Sequence, residues 1–497
     1  MIFIIQQNNL QINRLLITTY NRLTIMAFQY LELADEIENK ILKGDFLTGE
    51  KLPSLRKMHQ EYNRSITTIH QAYLELEKRG MVEAKEKSGF FVKRFRQDDF
   101  RQPELHRCKA EPQKVNVNNL QKSISKRLGD PNISLLGYTI PGNDIIPIKQ
   151  FSKIFKSISP QALEDVFGYD WTQGSLDLRR QIAKRSLGYH ERTSSGDVVI
   201  TNGCVEAVSI CLTVVARPGD VIGVESPTYR GFLQQIEEKS MYALELPTTL
   251  NEGVDLEKLE DKLKSCNVKA CLLNPSYQNP LGFVMPTENR KKLVELLNRM
   301  EIPIIEDDVF GDLHFHEQRP PTLKSFDQKG LVLYCSSFSK TLAPGLKVGW
   351  IIPGRFLDRI MEVKSNLNLS STKLNQHLIV QFMRNGSYDR QLRQIQNELR
   401  KQMFDITRAV MRYFPKDTKI SSPEGGLNLW VQLNDSIDAV ELYKEALQDN
   451  ILVVPGVLSS GSGKYRNCIR IGCGQALDKK LEKTIQTVGN IIYDMII

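Results

Sequence analysis

The sequence predicts a chain in two parts: a small α+β head of three helices and a hairpin, then a larger α/β body on a parallel sheet. Three observations carry that expectation. Apolar residues recur at helical spacing from Tyr30 to Leu42, as Leu33, Ala34, Ile37 and Ile41. Two serines, Ser54 and Ser65, stand where they can cap the next two helical stretches. Beyond Pro131 the pattern changes to apolar strand-like runs alternating with helical ones.

Within the head, Gly44 breaks the first helix and Leu52-Pro53-Ser54 starts the second, which runs towards Tyr62. Ser65 opens the third, with Ile69, Ala72, Tyr73 and Leu76 inward and Gly80 as terminator. Met81 to Lys85, a turn at Lys87-Ser88-Gly89 and Phe90 to Lys93 read as a hairpin. Helix, helix, helix and hairpin in under 70 residues outline a winged helix-turn-helix, assigned to 26–96. Residues 97–130 are rich in Gln, Lys, Asn and Pro without periodicity and read as a linker; as flexible coil they would span roughly 30–35 Å. In the body, 131–497, the strand-like runs are Val198 to Thr201, Val221 to Glu225, Lys269 to Asn274, Pro303 to Asp307 and Leu331 to Ser336.

Composition narrows the class. The 497 residues are 41% hydrophobic and 25% charged, ordinary for a globular chain with a sizeable core. A net charge of +8 permits an anionic partner without identifying one. No run approaches the roughly 18 apolar residues of a membrane span, so no membrane partner is expected. The apolar start, Met1 to Ile5, is broken by Gln6 to Asn9, so 1–25 reads as a disordered extension rather than a signal peptide. Eight cysteines are scattered, with no C-x-x-C pair and no zinc spacing, as expected of free thiols in a cytoplasmic protein; no metal site is expected.

Leu33 to Val92 resembles the GntR-type winged helix through Leu52-Pro53-Ser54-Leu55-Arg56, Thr67-Thr68-Ile69-His70-Gln71-Ala72-Tyr73, Glu77-Lys78-Arg79-Gly80 and Ser88-Gly89-Phe90-Phe91-Val92. The resemblance implies operator DNA as a partner. A recognition helix places its N-terminal residues against base edges, which nominates Ser65, Thr67, Thr68 and Gln71 as readers. Arg56, and Lys87 and Gly89 in the wing, would meet phosphates and the minor groove. One departure is Ile66, where the family usually has arginine; Arg64 is the candidate substitute.

The stretch Ser336-Ser337-Phe338-Ser339-Lys340-Thr341-Leu342-Ala343-Pro344-Gly345-Leu346-Lys347-Val348-Gly349-Trp350 resembles the Schiff-base segment of fold-type I pyridoxal enzymes. The other expected parts appear in chain order. Asn202-Gly203-Cys204-Val205 follows a strand and opens a helix, where backbone N–H groups can hold a phosphate. By the resemblance, Tyr229 stacks on the pyridine ring, Asn279 bonds its phenolic oxygen and Asp307 pairs with its nitrogen. The resemblance also nominates Ser337 and Ser339 as cofactor-binding and places Lys347 where the family has a phosphate-binding arginine. Tyr169 resembles the tyrosine that reaches the neighbouring subunit's phosphate, and Arg470 resembles the arginine that grips a substrate α-carboxylate. Two positions depart: Phe310 replaces a tyrosine hydroxyl, and Lys347 replaces a forked arginine with a point charge.

A GntR-type head on a class I aminotransferase-like body resembles the MocR subfamily of regulators. The implied fold is an α+β winged helix-turn-helix head on an α/β fold-type I aminotransferase-like body, with pyridoxal 5'-phosphate as cofactor. The implied function is a cytoplasmic homodimeric regulator sensing an amino acid, amine or vitamer through an aldimine on Lys340. Its operator half-sites would lie about one helical turn apart. The rival reading is a working aminotransferase with an appended winged helix, in which Lys340 and Asp307 are catalytic.

Overall fold

The computed structural model describes residues 29–38, 40–41, 46, 50–79, 81–85, 88–92, 101–105, 111–116, 118–188, 193–257, 259–316, 318–384 and 386–496. The expected extension 1–25, the breaks at Gly44 and Gly80, and Lys87 lie outside them. The chain divides into two compact units, Met1–Phe100 and Arg101–Ile497.

In the head, helix α1 covers 29–38 and 40–41 and turns Leu33, Ala34, Ile37 and Ile41 inward. Helix α2 (Leu55–Tyr62) begins at Ser54, whose hydroxyl accepts from the Lys57 N–H at 3.3 Å. Helix α3 (Ile66–Lys78) begins at Ser65, which accepts from the Thr68 N–H at 3.0 Å. Ile69, Ala72, Tyr73 and Leu76 of α3 meet the inward face of α1 in one core. Arg79, just past α3, donates to Asp35 and Glu38 of α1 and to Glu75, tying the first helix to the third. Strands β1 (Val82–Lys85) and β2 (Gly89–Val92) pair antiparallel, Val82 opposite Val92. Residues 50–52 flank β2: the Leu52 N–H donates to the Phe90 carbonyl and the Val92 N–H to the Glu50 carbonyl, each at 2.8 Å.

The body's main sheet takes, in chain order, β3 (Gln113–Lys114), β4 (Val199–Thr201), β5 (Val221–Ser226), β6 (Tyr242–Thr249), β7 (Gly253–Val254), β8 (Val268–Leu273), β9 (Ile304–Asp307), β10 (Val332–Ser337) and β11 (Gly349–Ile352). In space the order is β3-β6-β5-β8-β9-β10-β11-β4, with β7 on β6. The five strands β6-β5-β8-β9-β10 are parallel, whereas β3, β7 and β11 run against their neighbours. Because β11 opposes both β10 and β4, β4 runs the same way as β10. The carboxyl ends of β4, β5, β8, β9 and β10 therefore share one edge, where open α/β sheets bind ligands. The five expected strand runs fall on these strands to within a residue at each end. Parallel strands covered on both faces read as continuous apolar runs, which is why they were visible.

A smaller antiparallel sheet holds β12 (Lys419–Ile420), β13 (Asn428–Gln432), β14 (Val454–Pro455) and β15 (Cys468–Gly472), in the order β12-β13-β15-β14. The segment 133–139 lies along it: the Gly137 N–H donates to the Leu452 carbonyl at 3.0 Å and the Gly472 N–H to the Leu136 carbonyl at 2.8 Å.

The expected free linker over 97–130 needs correction. The Arg101 carbonyl accepts from the Ile420 N–H at 3.0 Å, and the Glu104 N–H donates to the Gln432 side chain at 2.7 Å. β3 extends the main sheet along β6, and Asn118–Ser125 is a helix with Ile124 fully buried. The coil arithmetic does not apply to these stretches. Their polar composition hid the pairing, because a two-residue edge strand and a short helix need few apolar residues.

Gly472 sits where the strap 133–139 crosses β15, and a Cβ there would land on the Tyr138 carbonyl. Gly472→Ala should cost the body about 1–3 kcal/mol, as overpacking does. Gly129→Ala, with nothing within 4 Å of the added carbon, is the control. Equal thermal unfolding midpoints in the two variants would show that the crossing is not tight.

Candidate functional site

A cavity of about 350 Å³ opens on the carboxyl edge of the main sheet. Each strand end contributes to it. Gly203 and Cys204 follow β4, Tyr229 follows β5, and Asn274 and Asn279 follow β8; Asp307 ends β9, and Ser337 closes β10 ahead of Ser339 and Lys340. Arg470 enters from β15 of the smaller sheet, and Tyr138 and Thr139 from the strap. Strand alternation selects the carboxylate. Asp307 faces the cavity, while its neighbours are spent elsewhere: Glu306 accepts from the Leu323 and Lys324 N–H groups, and Asp308 from Arg319 and the Tyr334 hydroxyl.

The charged groups are held by neutral partners. Lys340 Nζ donates to the Thr139 carbonyl at 2.7 Å. Burial, then the nearby Arg470 and Lys347 charges, bring its amine down to about 8. Arg470 donates through Nε (3.2 Å) and Nη2 (3.0 Å) to the Gly137 carbonyl, and through Nη1 to Asn279 Oδ1 at 3.1 Å. It is 4% exposed, and burial followed by the Arg230 charge lowers it to about 10. Asp307 Oδ1 accepts from the Val309 N–H at 3.0 Å and from the Cys204 thiol at 3.5 Å, with no ion-pair partner among the described residues. Burial raises it to about 6. A buried carboxylate without a cation and a buried guanidinium without an anion each favour a ligand group of opposite charge.

Opposite them the helix Cys204–Val215 begins at Gly203, with φ +90°, a conformation costly to any residue with a Cβ. A Cβ on Gly203 would meet nothing within 4 Å, so the space before the helix is open. The unpaired N–H groups of a first helical turn, including Cys204 and Val205, suit an anion there. β11 approaches from behind: a Cβ on Gly349 would lie 2.6 Å from the Gly203 carbonyl carbon and 2.9 Å from the Cys204 nitrogen.

The cavity thus gathers Lys340, Asp307, Asn279, Tyr229, Gly203, Cys204, Val205, Ser337, Ser339, Lys347 and Arg470. Phe310 lines it too, so the missing hydroxyl is missing at the site. Tyr169 does not line it; its side chain is 89% exposed, beside Phe167 and Trp171 at 77% and 85%. Sequence reasoning missed Arg230, Tyr138 and Asn274. Asn274 donates to the Asp307 carbonyl at 2.6 Å and accepts from the Asn279 N–H at 2.7 Å, setting both neighbours. A buried asparagine directly after an apolar strand was the available signal.

On the head, Ile66, Thr67, His70, Gln71 and Leu74 form one exposed stripe along α3. Thr67 and Gln71 fit the expected reading role. Thr68 does not: it is 4% exposed and its hydroxyl meets Ser65 Oγ at 2.8 Å. Ser65 is likewise occupied as the cap. Two hydroxyls expected on bases are thus used to start the helix, because the position that faces a base and the position that closes the cap differ by one residue. Arg56 is exposed; Arg64 reaches Glu32 at 3.4 Å. Gly89 is exposed in the wing at φ +101°.

Comparison with known proteins matches both units. Residues 29–92 match the gntR family of bacterial regulatory proteins, and residues 148–488 match aminotransferase class I and II. The chain is 34% identical to an uncharacterized HTH-type transcriptional regulator of Escherichia coli, YjiR, over 94% of this chain and 99% of that protein. The structure is similar to the Pyrococcus horikoshii kynurenine aminotransferase in complex with PMP, at TM-score 0.70 and 25% identity, covering 76% of this chain and 94% of that one. It is equally similar to the α-aminoadipate aminotransferase LysN of Thermus thermophilus, complexed with N-(5'-phosphopyridoxyl)-L-leucine, at TM-score 0.70 and 25% identity over 77% and 96% of the chains. With a gntR-family winged helix at its start and a class I and II aminotransferase fold for its body, the chain belongs to the MocR-type HTH transcriptional regulators.

Proposed function

We propose that the body holds pyridoxal 5'-phosphate on Lys340, and that an amino acid or other amine entering the pocket changes how the head grips operator DNA. The carrying observation is one cavity in which a lysine shifted towards neutrality, a carboxylate without a cation and an open helix start converge. The residues fit the group. The two solved aminotransferases carry pyridoxal derivatives in the same fold. When bound, the cofactor supplies an aldehyde that condenses with primary amines and a ring that withdraws electrons. Lys340 offers the amine, about a tenth of it neutral at pH 7 for a value near 8. Asp307 holds a proton on the ring nitrogen by charge. Asn279 is oriented by Asn274, and Tyr229 covers one face. Gly203 to Val205, Ser337, Ser339 and Lys347 take the phosphate, and Arg470 takes the α-carboxylate of an incoming amino acid. Homodimer formation would cover the apolar stretch at Phe167, Tyr169 and Trp171 and bring Tyr169 to the partner's pocket. A cytoplasmic location goes with this reading.

A working aminotransferase is the second reading, favoured by the complete trio of Lys340, Asp307 and Arg470. Phe310 and Lys347 weigh against it, since each removes a directed donor and misplaced groups cost orders of magnitude in rate. Keto-acid formation from common amino acids should stay below about 1 per second, under the usual range for enzymes. Faster steady turnover would promote the aminotransferase reading.

The central test adds candidate amino acids while the cofactor's absorbance and operator binding are followed together. Both should change at the same concentrations; operator affinity that ignores every ligand moving the spectrum would sink the sensing role. Borohydride should trap the cofactor covalently on the wild type and not on Lys340→Ala. Cofactor uptake by the apoprotein should quicken as pH rises through about 8, because only the neutral amine attacks. An uptake rate flat from pH 6 to 9 would count against Lys340 as the attacking group.

On the head, Arg56→Ala should weaken binding to all DNA sequences alike and reduce the salt slope by about 1. Gln71→Ala should cost about 1–3 kcal/mol at one base position. Thr68→Ala should lower head stability without altering base preference; a changed preference would restore Thr68 as a reader.

A further inference from the structure

The cavity's charged lining is unbalanced. Arg230, Lys340, Lys347 and Arg470 face a single carboxylate, Asp307. Under the function proposed above, on which this inference rests, most of these charges have a partner. Lys347 and the helix start meet the phosphate, Asp307 meets the ring nitrogen, Lys340 forms the attachment and Arg470 meets an α-carboxylate. Arg230 is left over.

Arg230 is 9% exposed, and its Nε is buried with no hydrogen-bond partner. Its terminal nitrogens reach only neutral groups: Nη1 donates to Gln121 Oε1, and Nη2 to the Tyr138 hydroxyl at 2.8 Å. Its guanidinium also lies over the Tyr138 ring, 4.9 Å from the centroid. No described carboxylate pairs with it. Arg319 in the same unit pairs with Asp308 and Asp312, and the fully buried Arg290 uses Nε and both terminal nitrogens on carbonyls and the Ser276 hydroxyl; among the described residues Arg230 has neither an acid nor a bond on Nε. Arg230 lines the same cavity as Arg470 and Lys340. The strap puts three consecutive residues against three cations: the Gly137 carbonyl on Arg470, the Tyr138 hydroxyl on Arg230 and the Thr139 carbonyl on Lys340. The two arginines therefore hold adjacent residues of the strap, next to the residue that holds Lys340.

We propose that Arg230 is the receptor for a second carboxylate, so that the pocket selects α-amino dicarboxylic acids over neutral amino acids of the same length. Arg470 holds the α-carboxylate while Arg230, whose guanidinium has a donor without a partner, receives the side-chain carboxylate. Tyr138 and Gln121 fix the plane of the fork. The rival occupant for Arg230 is the cofactor's own phosphate.

Spectral titration of the holoprotein with L-aspartate, L-glutamate, L-2-aminoadipate and the isosteric L-glutamine tests this. At least one dicarboxylate should bind roughly tenfold or more tightly than glutamine, the usual effect of a charge-assisted pair. Arg230→Gln should remove that preference, leave glutamine within about twofold, and leave cofactor retention unchanged; Arg230→Lys should keep part of it. Equal wild-type affinity for glutamate, aspartate, aminoadipate and glutamine would overturn the proposal, even if Arg230→Gln failed to fold. Loss of cofactor in Arg230→Gln with the acid preference intact would overturn it in favour of the phosphate. A wild-type spectrum that no amino acid perturbs would instead remove the sensing reading beneath it, and the proposal with it.

Discussion

Buried positive charge held by neutral oxygens is the constraint around which the body is arranged. Removing a cation from water costs several kcal/mol even after relaxation, and a carbonyl or amide repays only part of that. Lys340 and Arg470 nonetheless sit on the Thr139 and Gly137 carbonyls, and neither forms an ion pair among the described residues. The arrangement is tolerable because the strap is held in place by the smaller sheet, which fixes its carbonyls as directed dipoles. The cations are therefore positioned by the fold itself, through the strap.

The same strap gives the pocket a connection along the chain. Gln121, which accepts from Arg230, belongs to the helix Asn118–Ser125, between the head and the strap in sequence. Much of what reads as spacer is built into the body, through β3 on the sheet edge and Gln121 at the cavity wall. A ligand acting on Arg230 acts on a group tied to this stretch.

The head follows a different economy. Its stability rests on two serine caps, an apolar face shared by α1 and α3, and the Arg79 cluster of acids. Hydroxyls are consumed where the helix starts, leaving Thr67, His70, Gln71 and the apolar Ile66 and Leu74 exposed along α3. With Ile66 in place of an arginine, that exposed face offers amide, imidazole and methyl groups but no guanidinium fork.

Local patterns determined a large share of this protein. Caps at Ser54 and Ser65, the inward face of α3, and the strands ending near Thr201, Ser226, Asp307 and Ser337 were legible because each depends on residues a few positions apart. The resemblance to fold-type I pyridoxal enzymes nominated most of the pocket's residues, and most of them converge because they fall just after those strands and parallel strands deliver their carboxyl ends to one edge. Tertiary structure alone decided the rest. Arg470 meets the Gly137 carbonyl across 333 positions, and Arg230 meets Gln121 across 109. No periodicity encodes such pairings, which arise only when the smaller sheet docks the strap against the pocket. Thr68 faces the core side of its cap, and Gln113–Lys114 joins an edge strand despite its polar sequence. In each case the deciding partner lies far along the chain or in the geometry of a turn, where residue type constrains little until the neighbour arrives.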